Sequence, residues 1–424
     1  MDPKEAGNTL ALFSLFHHDI TPNLNGTSLL EESHFNALNS APVCDDQSII
    51  QVVLDVVQEA TLDCGIGEVG ITLTGGFDSR VILAALLFLG IKPVCLTYGN
   101  PLNKDIIISK RICETLELKH MNAVNHSPTA KSYLEDVKET INIDEGKAHL
   151  HRAHRMAAIK EFTKKYKIKV LLTGHFGGEQ IRGLSYNNYF SSEIFKCFNE
   201  KNTKLKPLIQ SILKSYFIKE SSYSMNKLEK QIKKLNWMQD DKLKNKLYFL
   251  YDLVGMNHHK QDIRLYSKFV KRVVPVYLDE RFINTLIRSP HHFARKKTGK
   301  LASLSHPKLY CNIIASLYPS LLDIELSNGY KPKDYRKGLI YYAIKRSIKK
   351  YILKPHNPPS FSYGQWYHDF VAENSAHIDS AVWTHYDKKA YFEALNNGEH
   401  LSNEGYWHKF SNPIFFNLKK KLTE

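Results

Sequence analysis

The chain has 424 residues, of which 43% are hydrophobic and 24% are charged, and its formal net charge is +15. This length and composition are typical of a globular protein with a sizeable core. Its apolar runs are shorter than about 18 residues, so we predict no transmembrane helix. Its first residues do not resemble a signal peptide. The six cysteines form no CxxC pair, so we expect reduced thiols and a cytoplasmic location.

The positive charge has two interpretations. Lysine and arginine number 58 against 43 aspartates and glutamates, and the excess is most visible at about residues 196–271. A polyanionic partner such as nucleic acid, a membrane surface or a phosphorylated ligand would explain it. A solvated, lysine-rich surface is the alternative, and the charge alone does not separate the two.

The chain begins with a stretch that has no periodicity. Residues 1–47 contain many turn-forming residues, so we predict an extended arm or the remnant of a lost domain. A helix is predicted at about residues 46–63 because apolar residues recur there at helical spacing, with Asp45 or Asp46 as N-cap. We therefore assign residues 48–424 to one main domain.

Strands and helices then alternate along the chain. Strands are predicted at residues 69–73, 93–98 and 169–173, and helices at residues 79–89, 104–116 and 149–166. This alternation is typical of an α/β fold, in which helices flank a parallel sheet. We expect a nucleotide-binding core at about residues 66–185 and a mostly helical remainder at about residues 190–424.

A glycine-rich loop follows the first predicted strand directly and leads into a helix. It comprises, in order, Leu73, Thr74, Gly75, Gly76, Phe77, Asp78, Ser79 and Arg80. Glycines allow close approach of the backbone to a ligand, and a helix N-terminus offers N–H groups to an anion. Asp78 adds a carboxylate that suits a magnesium ion bridging phosphates, and Ser79 adds a hydroxyl donor. The loop matches neither a Walker motif nor GxGxxG, and a chance turn before a capped helix is the alternative to a phosphate site.

Residues 74–79, TGGFDS, resemble the SGGxDS pyrophosphate loop of the N-type ATP pyrophosphatases. Within that superfamily the chain is similar to the synthetase domain of asparagine synthetase and its relatives, which include β-lactam synthetases and lasso-peptide cyclases. The resemblance implies an adenine nucleotide alpha-hydrolase-like (HUP-type) fold that binds ATP and Mg2+. It also implies a ligase that adenylates a carboxylate, releases pyrophosphate and transfers the acyl group to an amine or ammonia.

Three further segments carry the resemblance. The strand end around Tyr98 resembles the family's adenine-side strand, so its backbone would hold the adenine edge. Residues 171–179 resemble the family's second loop, SGxGxDE, which implies that Thr173 and Gly174 face the ribose and the α-phosphate. Residues 275–282 resemble the family's PFLDxxL segment.

The second loop departs from the family pattern at three positions. Gly178 stands where the family carries an aspartate, and Phe176 replaces the family's second glycine. By resemblance, Asp78 and Glu179 would then bracket the metal. His175 stands where asparagine synthetases carry a glutamate, and it is either a base toward the amine or a histidine hydrogen-bonded beside the loop.

Basic residues are needed where negative charge develops during adenylation and acyl transfer. The candidates are Arg80, Lys297, Lys300 and Lys354. Lys300 resembles a lysine that follows the PFLDxxL segment in the family. Solvated surface lysines are the alternative interpretation.

The expected partners follow from a feature of the resembling family that this sequence does not show, the glutaminase cysteine. The chain begins Met1-Asp2 and has no glutaminase cysteine, so nitrogen is expected from ammonia, an amine substrate or a partner protein. The acyl donor is expected to be a small-molecule or peptide carboxylate. A tRNA-modifying enzyme similar to lysidine synthetase and a catalytically degenerate nucleotide-binding subunit are the alternative functions.

Two groups of histidines lie outside these motifs. His151 and His154 are three residues apart on a predicted helix, so they share a face and either bind a metal, line a cleft or lie on the surface. His258 and His259 are adjacent, and we assign no function to them.

Overall fold

The computed structural model describes most of the chain. The described residues are 11, 28–123, 129–145, 150–183, 205–233, 244, 247, 248, 250–252, 255, 259–295, 307–337, 341, 344, 345, 347, 348, 364–398 and 407–423.

A five-stranded parallel sheet lies at the centre of the described residues, with the order β3-β2-β1-β4-β5. The strands are β1 (Val69–Thr72), β2 (Val94–Tyr98), β3 (His120–Ala123), β4 (Val170–Thr173) and β5 (Arg272–Pro275). Ile71 of β1 lies opposite Cys95 on one side and Leu172 on the other. The chain moves outward from β1 to β3 and then returns to β4, so the topological switch point lies between β1 and β4.

Helices make up most of the other described elements. In chain order they are α1 (Glu32–Asn39), α2 (Asp46–Thr61), α3 (Asp78–Phe88), α4 (Lys104–Thr115), α5 (Ala130–Asp144), α6 (Ala153–Lys165), α7 (Gly177–Arg182), α8 (Leu205–Ser215), α9 (Met225–Lys233), α10 (Lys260–Tyr266), α11 (Glu280–Ile287), α12 (Lys308–Leu317), α13 (Pro332–Arg336), α14 (Gly364–Ser375), α15 (Lys388–Asn396) and α16 (Trp407–Thr423). The predicted α/β fold with a parallel sheet and a mostly helical C-terminal half is therefore confirmed.

Alternate residues of the central strands pack into two different apolar clusters, because successive side chains of a strand point to opposite faces. Ile71 and Leu172 lie in the cluster that includes α2, α3 and α12. Leu96 and Leu171 lie in the cluster that includes α6 and α10. The sheet is thus covered on both faces, as parallel sheets require.

The predicted strands at residues 69–73, 93–98 and 169–173 correspond to β1, β2 and β4, which are almost entirely buried. The strands β3 and β5 were not predicted, and they are the two edges of the sheet. Both are only partly buried. An edge strand needs fewer apolar residues than a central strand, so its sequence carries a weaker signal.

The predicted helices are also present, with shifted ends. Asp45 is the N-cap of α2, and its side chain accepts a hydrogen bond from the Ser48 N–H at 2.8 Å. The helix predicted at residues 149–166 begins at Ala153, after a 3-10 turn at Leu150–Arg152.

The N-terminal region contains a helix where none was predicted. Within residues 1–47, α1 is a regular helix, so residues 32–39 are not extended, and the alternative interpretation, a remnant of a lost domain, stays a prediction. Phe35 and Leu38 are buried in a third apolar cluster, which also includes residues of α5, α14 and α16. Tertiary packing stabilises such a short helix, and local sequence patterns do not report that packing. The domain boundary at residue 48 stays a prediction.

Among the described helices, none combines the length and the apolar character needed to cross a bilayer.

Candidate active site

A cavity of about 420 Å³ lies at the carboxyl ends of the central strands. It is lined by the first glycine loop, the end of β2, the start of α4, the second loop and parts of α6 and α10. Ligands of open parallel sheets bind where the strand order reverses, and here that place is the gap between β1 and β4. The two loops predicted from the sequence leave these two strands.

The first loop is held in shape by side chains. The backbone N–H of Thr74 donates to Ser79 Oγ at 3.0 Å, and that of Gly75 donates to Asp105 Oδ1 at 3.0 Å. The N–H of Gly76 donates to Thr74 Oγ1 at 3.3 Å. Because Asp105 belongs to α4, its contact ties the loop to the helix that follows β2.

The start of α3 faces the same cavity. The helix begins at Asp78, and both Asp78 and Ser79 line the cavity. The first N–H groups of a helix have no acceptor within it, so this end is suited to an anion. Of the other residues predicted to bind nucleotide, Leu73, Thr74, Tyr98 and Gly174 also line the cavity, whereas Gly75, Gly76, Phe77 and Thr173 do not.

The second loop packs directly against the first. A Cβ atom on Gly174 would lie 3.0 Å from the Ser79 nitrogen. A Cβ atom on Gly177 would lie 2.6 Å from Asp78 Oδ1 and 2.8 Å from the Tyr277 ring. Real Cβ atoms essentially never approach other atoms as closely as at Gly177, and the distance at Gly174 is tighter than most Cβ contacts, so glycine at both positions permits the contact between the loops.

Phe176, between these glycines, has a left-handed backbone with φ of 73°. Glycine favours this conformation, and a larger residue adopts it at a cost. The Phe176 ring is buried and packs edge-on against Tyr251 and His259, with centroid distances of 5.2 and 5.7 Å. Apolar packing of the ring offsets the backbone strain at this position.

Both ring nitrogens of His175 are engaged. Nδ1 lies 2.8 Å from Thr173 Oγ1, and Nε2 lies 3.2 Å from Asp262 Oδ2. Burial alone would raise the pKa of Asp262, but the guanidinium groups of Arg152 and Arg155 hold that pKa well below its usual range. Nε2 of His175 therefore donates to a carboxylate and Nδ1 accepts from the Thr173 hydroxyl. This arrangement fits a histidine hydrogen-bonded beside the loop, and it leaves no ring nitrogen for a substrate amine.

Several residues of the cavity wall were not singled out as catalytic from the sequence. Arg155, His259 and Tyr266 line the cavity, and so does His154, in keeping with the cleft-lining interpretation. His259 Nε2 lies 3.7 Å from Glu179 Oε1, so an imidazole and a carboxylate face the cavity together. Their spacing along the chain has no motif, because they come from separate elements that only the fold brings together.

Arg80 is fully buried, which does not fit the predicted role in stabilising negative charge in the cavity. Its guanidinium donates to three backbone carbonyl oxygens, those of Leu321 at 3.2 Å, Ile324 at 2.6 Å and Glu325 at 2.7 Å. Burial lowers the pKa of Arg80 to about 10. The side chain therefore anchors the segment after α12 beneath the first loop, and the Ser327 N–H completes this link by donating to the Gly75 carbonyl at 3.0 Å.

The other basic candidates, Lys297, Lys300 and Lys354, lie outside the described residues.

The metal site predicted from Asp78 and Glu179 does not match the contacts of Asp78. Arg182 Nη2 lies 3.2 Å from Asp78 Oδ2, and the Tyr310 hydroxyl donates to Asp78 Oδ1. Burial raises the pKa of Asp78, and the Arg182 guanidinium opposes this rise. Within the described part of the chain, no group of three or more His, Cys, Asp or Glu side chains could hold a metal ion. Because Arg182 and Tyr310 each contact one oxygen of the Asp78 carboxylate, this side chain does not fit the predicted role of a magnesium ligand beside Glu179.

Comparisons with known proteins identify no family for this chain. No protein-family model matches it, and no curated protein matches it. Among solved structures, it is similar to NMN synthetase from Francisella tularensis, with 14% sequence identity and a TM-score of 0.27. The match covers 52% of this chain and 96% of that chain. A likeness of this extent carries no argument about function, and the asparagine synthetase-like placement stays a prediction.

Proposed function

We propose that this protein binds ATP between β1 and β4, adenylates a substrate carboxylate and transfers the acyl group to an amine or ammonia. The observation that carries this proposal is the contact between the two glycine loops. Gly174 of the second loop packs against the backbone of Asp78 and Ser79, where α3 begins. Both loops therefore border one helix end that is suited to an anion, at the switch point of the sheet.

We assign each part of the nucleotide to one side of the cavity. The start of α3 would hold phosphates, and the end of β2 around Tyr98 would hold the adenine. Gly174, directly after β4, would then lie toward the ribose and the α-phosphate. The volume of about 420 Å³ falls in the range of roughly 300–1,000 Å³ that is usual for small-molecule sites.

The proposed reaction has two steps. A carboxylate oxygen of the substrate attacks the α-phosphorus of ATP, the bond to the bridging oxygen breaks, and pyrophosphate leaves. An amine nitrogen then attacks the acyl carbon, AMP leaves, and the nitrogen loses a proton. Arg155 offers positive charge at the cavity wall, and His259 beside Glu179 is placed to accept the proton.

A nucleotide-binding subunit without turnover is the second candidate function. It is favoured by the engagement of both His175 nitrogens and of both Asp78 carboxylate oxygens. A tRNA-modifying activity has only the net charge of +15 in its favour.

Exchange of labelled pyrophosphate into ATP tests the proposal, with pools of amino acids, dicarboxylates and peptides as substrates. We expect exchange that depends on an added carboxylate, with AMP as the nucleotide product. Ser79→Ala should weaken ATP binding about tenfold, because the Thr74 N–H loses its acceptor and the loop loses its shape. Ser267→Ala is the matched control, since the Ser267 hydroxyl is exposed and donates only to the Ile263 carbonyl.

Three results would count against adenylation. Release of ADP in place of AMP would contradict the first step. ATP binding without exchange for any acid would favour the second candidate function. Specific, salt-sensitive tRNA binding together with tRNA-dependent ATP consumption would favour a tRNA-modifying enzyme.

A further inference from the structure

The carboxylate of Asp78 is enclosed by side chains from several elements. Arg182 at the end of α7 and Tyr310 of α12 each contact one of its oxygens. Tyr277, directly after β5, donates its hydroxyl to the Asp78 backbone carbonyl at 2.8 Å. Gly177 lies so close to Asp78 Oδ1 that a Cβ atom would not fit. The carboxylate thus has a built environment with a defined place for one cation, and Arg182 occupies it.

Arg182 is itself held in position by aromatic rings. Its guanidinium carbon lies 5.5 Å from the centroid of the Tyr310 ring and 5.9 Å from that of the Phe77 ring. Only 22% of the side chain is exposed. Cation–π contacts of this kind restrict the guanidinium, so Arg182 differs from a mobile surface arginine.

A divalent cation bound to Asp78 would have to share the carboxylate with this guanidinium. Magnesium lies at about 2.0–2.1 Å from its oxygen ligands, whereas Arg182 Nη2 is 3.2 Å from Asp78 Oδ2. A magnesium ion and the Arg182 guanidinium bound to the same carboxylate would therefore lie close together. The two cations would repel each other strongly, because the side chains are mostly buried and solvent screening is weak.

We propose that Arg182 is the resident counter-ion of the first glycine loop and excludes a divalent cation from Asp78. This proposal deepens the proposed function. It rests on the proposed function in one respect, namely that the first glycine loop is the nucleotide site. The negative charge of Asp78 is compensated within the fold, so the loop reaches its ligand-ready shape without a metal ion. Removal of the Arg182 charge should therefore create a metal site at Asp78.

Titration of the full-length protein with Mn2+ in the absence of nucleotide, monitored by electron paramagnetic resonance, tests whether Arg182 excludes the cation. Wild-type protein and Asp78→Asn should bind Mn2+ equally weakly. Arg182→Met keeps the packing against Phe77 and Tyr310 but removes the charge, and we expect it to bind Mn2+ about tenfold more tightly or better. In the double variant with Asp78→Asn, this gain should disappear.

Arg264→Met is the matched control. Arg264 Nε lies 3.1 Å from Asp144 Oδ1, and the Asp144 side chain is only 6% exposed. This substitution therefore also removes the positive charge beside a mostly buried aspartate. An equal gain in this variant would attribute the effect to the loss of any positive charge and would overturn the proposal. Mn2+ binding by wild-type protein that is lost in Asp78→Asn would overturn it as well, as would the lack of a gain in folded Arg182→Met.

The comparison of wild-type protein with Asp78→Asn can overturn the proposal even if Arg182→Met does not fold, because Mn2+ binding that is lost in Asp78→Asn would show that Asp78 already binds the cation. Because no nucleotide is present, the result is independent of pyrophosphate exchange. A protein without exchange activity can still support the role of Arg182, and an active ligase can still contradict it.

Discussion

The carboxylate of Asp262 accepts hydrogen bonds from His175, Arg152 and Arg155, although none of its side chain is exposed to solvent. Two guanidinium groups therefore surround one buried carboxylate. Buried ion pairs of this kind are costly unless they are satisfied, so removal of one member leaves an uncompensated charge. The network orders the cavity wall that carries Arg155 and fixes the orientation of the His175 ring.

The protonation of His175 leads to a prediction about pH. Burial lowers the pKa of His175, so below about pH 6.5 the unfolded protein binds a proton that the folded protein does not. The free energy of unfolding should therefore fall as the pH decreases from about 6.5. His175→Gln, which does not titrate, should make this decrease shallower.

Urea denaturation at about pH 7 and about pH 5.5 measures the effect. His377→Gln, the same substitution at an exposed histidine, is the control. Equal pH dependence in wild-type protein and His175→Gln would show that His175 takes up its proton equally well when folded.

At the scale of elements, the contact between the two glycine loops depends on the absence of side chains. In Gly177→Ala the added Cβ would meet Asp78 Oδ1 and the Tyr277 ring at 2.6 and 2.8 Å. In Gly76→Ala the added Cβ would meet Thr74 Oγ1 at 3.4 Å, which is an ordinary contact. The two glycines thus form a matched pair of test positions.

We expect Gly177→Ala to lower the free energy of unfolding by about 1–3 kcal/mol, because the loops must separate to accept the new atom. Gly76→Ala should stay within about 0.5 kcal/mol of wild type. Denaturant titration of both variants checks this difference. Equal stabilities would mean that the loops move apart without cost.

The strands differ in how much their sequences reveal. β1, β2 and β4 were predicted because each is a short, almost entirely buried apolar run before a turn or loop. β3 and β5 lie at the edges and are only partly buried, so their sequences contain polar residues such as His120 and Arg272. Edge position depends on strand order, which only the assembled sheet defines.

At the scale of the whole molecule, α1 connects the N-terminal region to the helical part of the protein. Phe35 is only 3% exposed, and its ring centroid lies 4.9 Å from that of Tyr248. Arg295 adds polar links to the Ser40 and Ala37 carbonyls. Residues 28–40 are therefore part of the folded protein and not a detached arm.

Phe35→Ala should lower the free energy of unfolding by about 3–5 kcal/mol, because it leaves a cavity among buried side chains. Val43→Ala, at a position that is 78% exposed, should change it by less than about 0.5 kcal/mol. Thermal or urea denaturation of the full-length variants measures both. A small effect of Phe35→Ala would restore the interpretation of this region as an arm.

The sequence by itself determined the local parts of this protein. Apolar spacing and glycine placement identified the central strands, their following helices and the loops at residues 73–80 and 174–178, because each of these signals acts between near neighbours. The same loops line one cavity in the structure.

Only the tertiary structure decided what the charged groups of these loops contact. Asp78 pairs with Arg182, 104 residues away, and His175 with Asp262, 87 residues away. Arg80, next to the first loop, contacts carbonyl groups more than 240 residues away and does not reach the cavity. A side chain's partner depends on which distant segments pack beside it, and that information is absent from its local sequence.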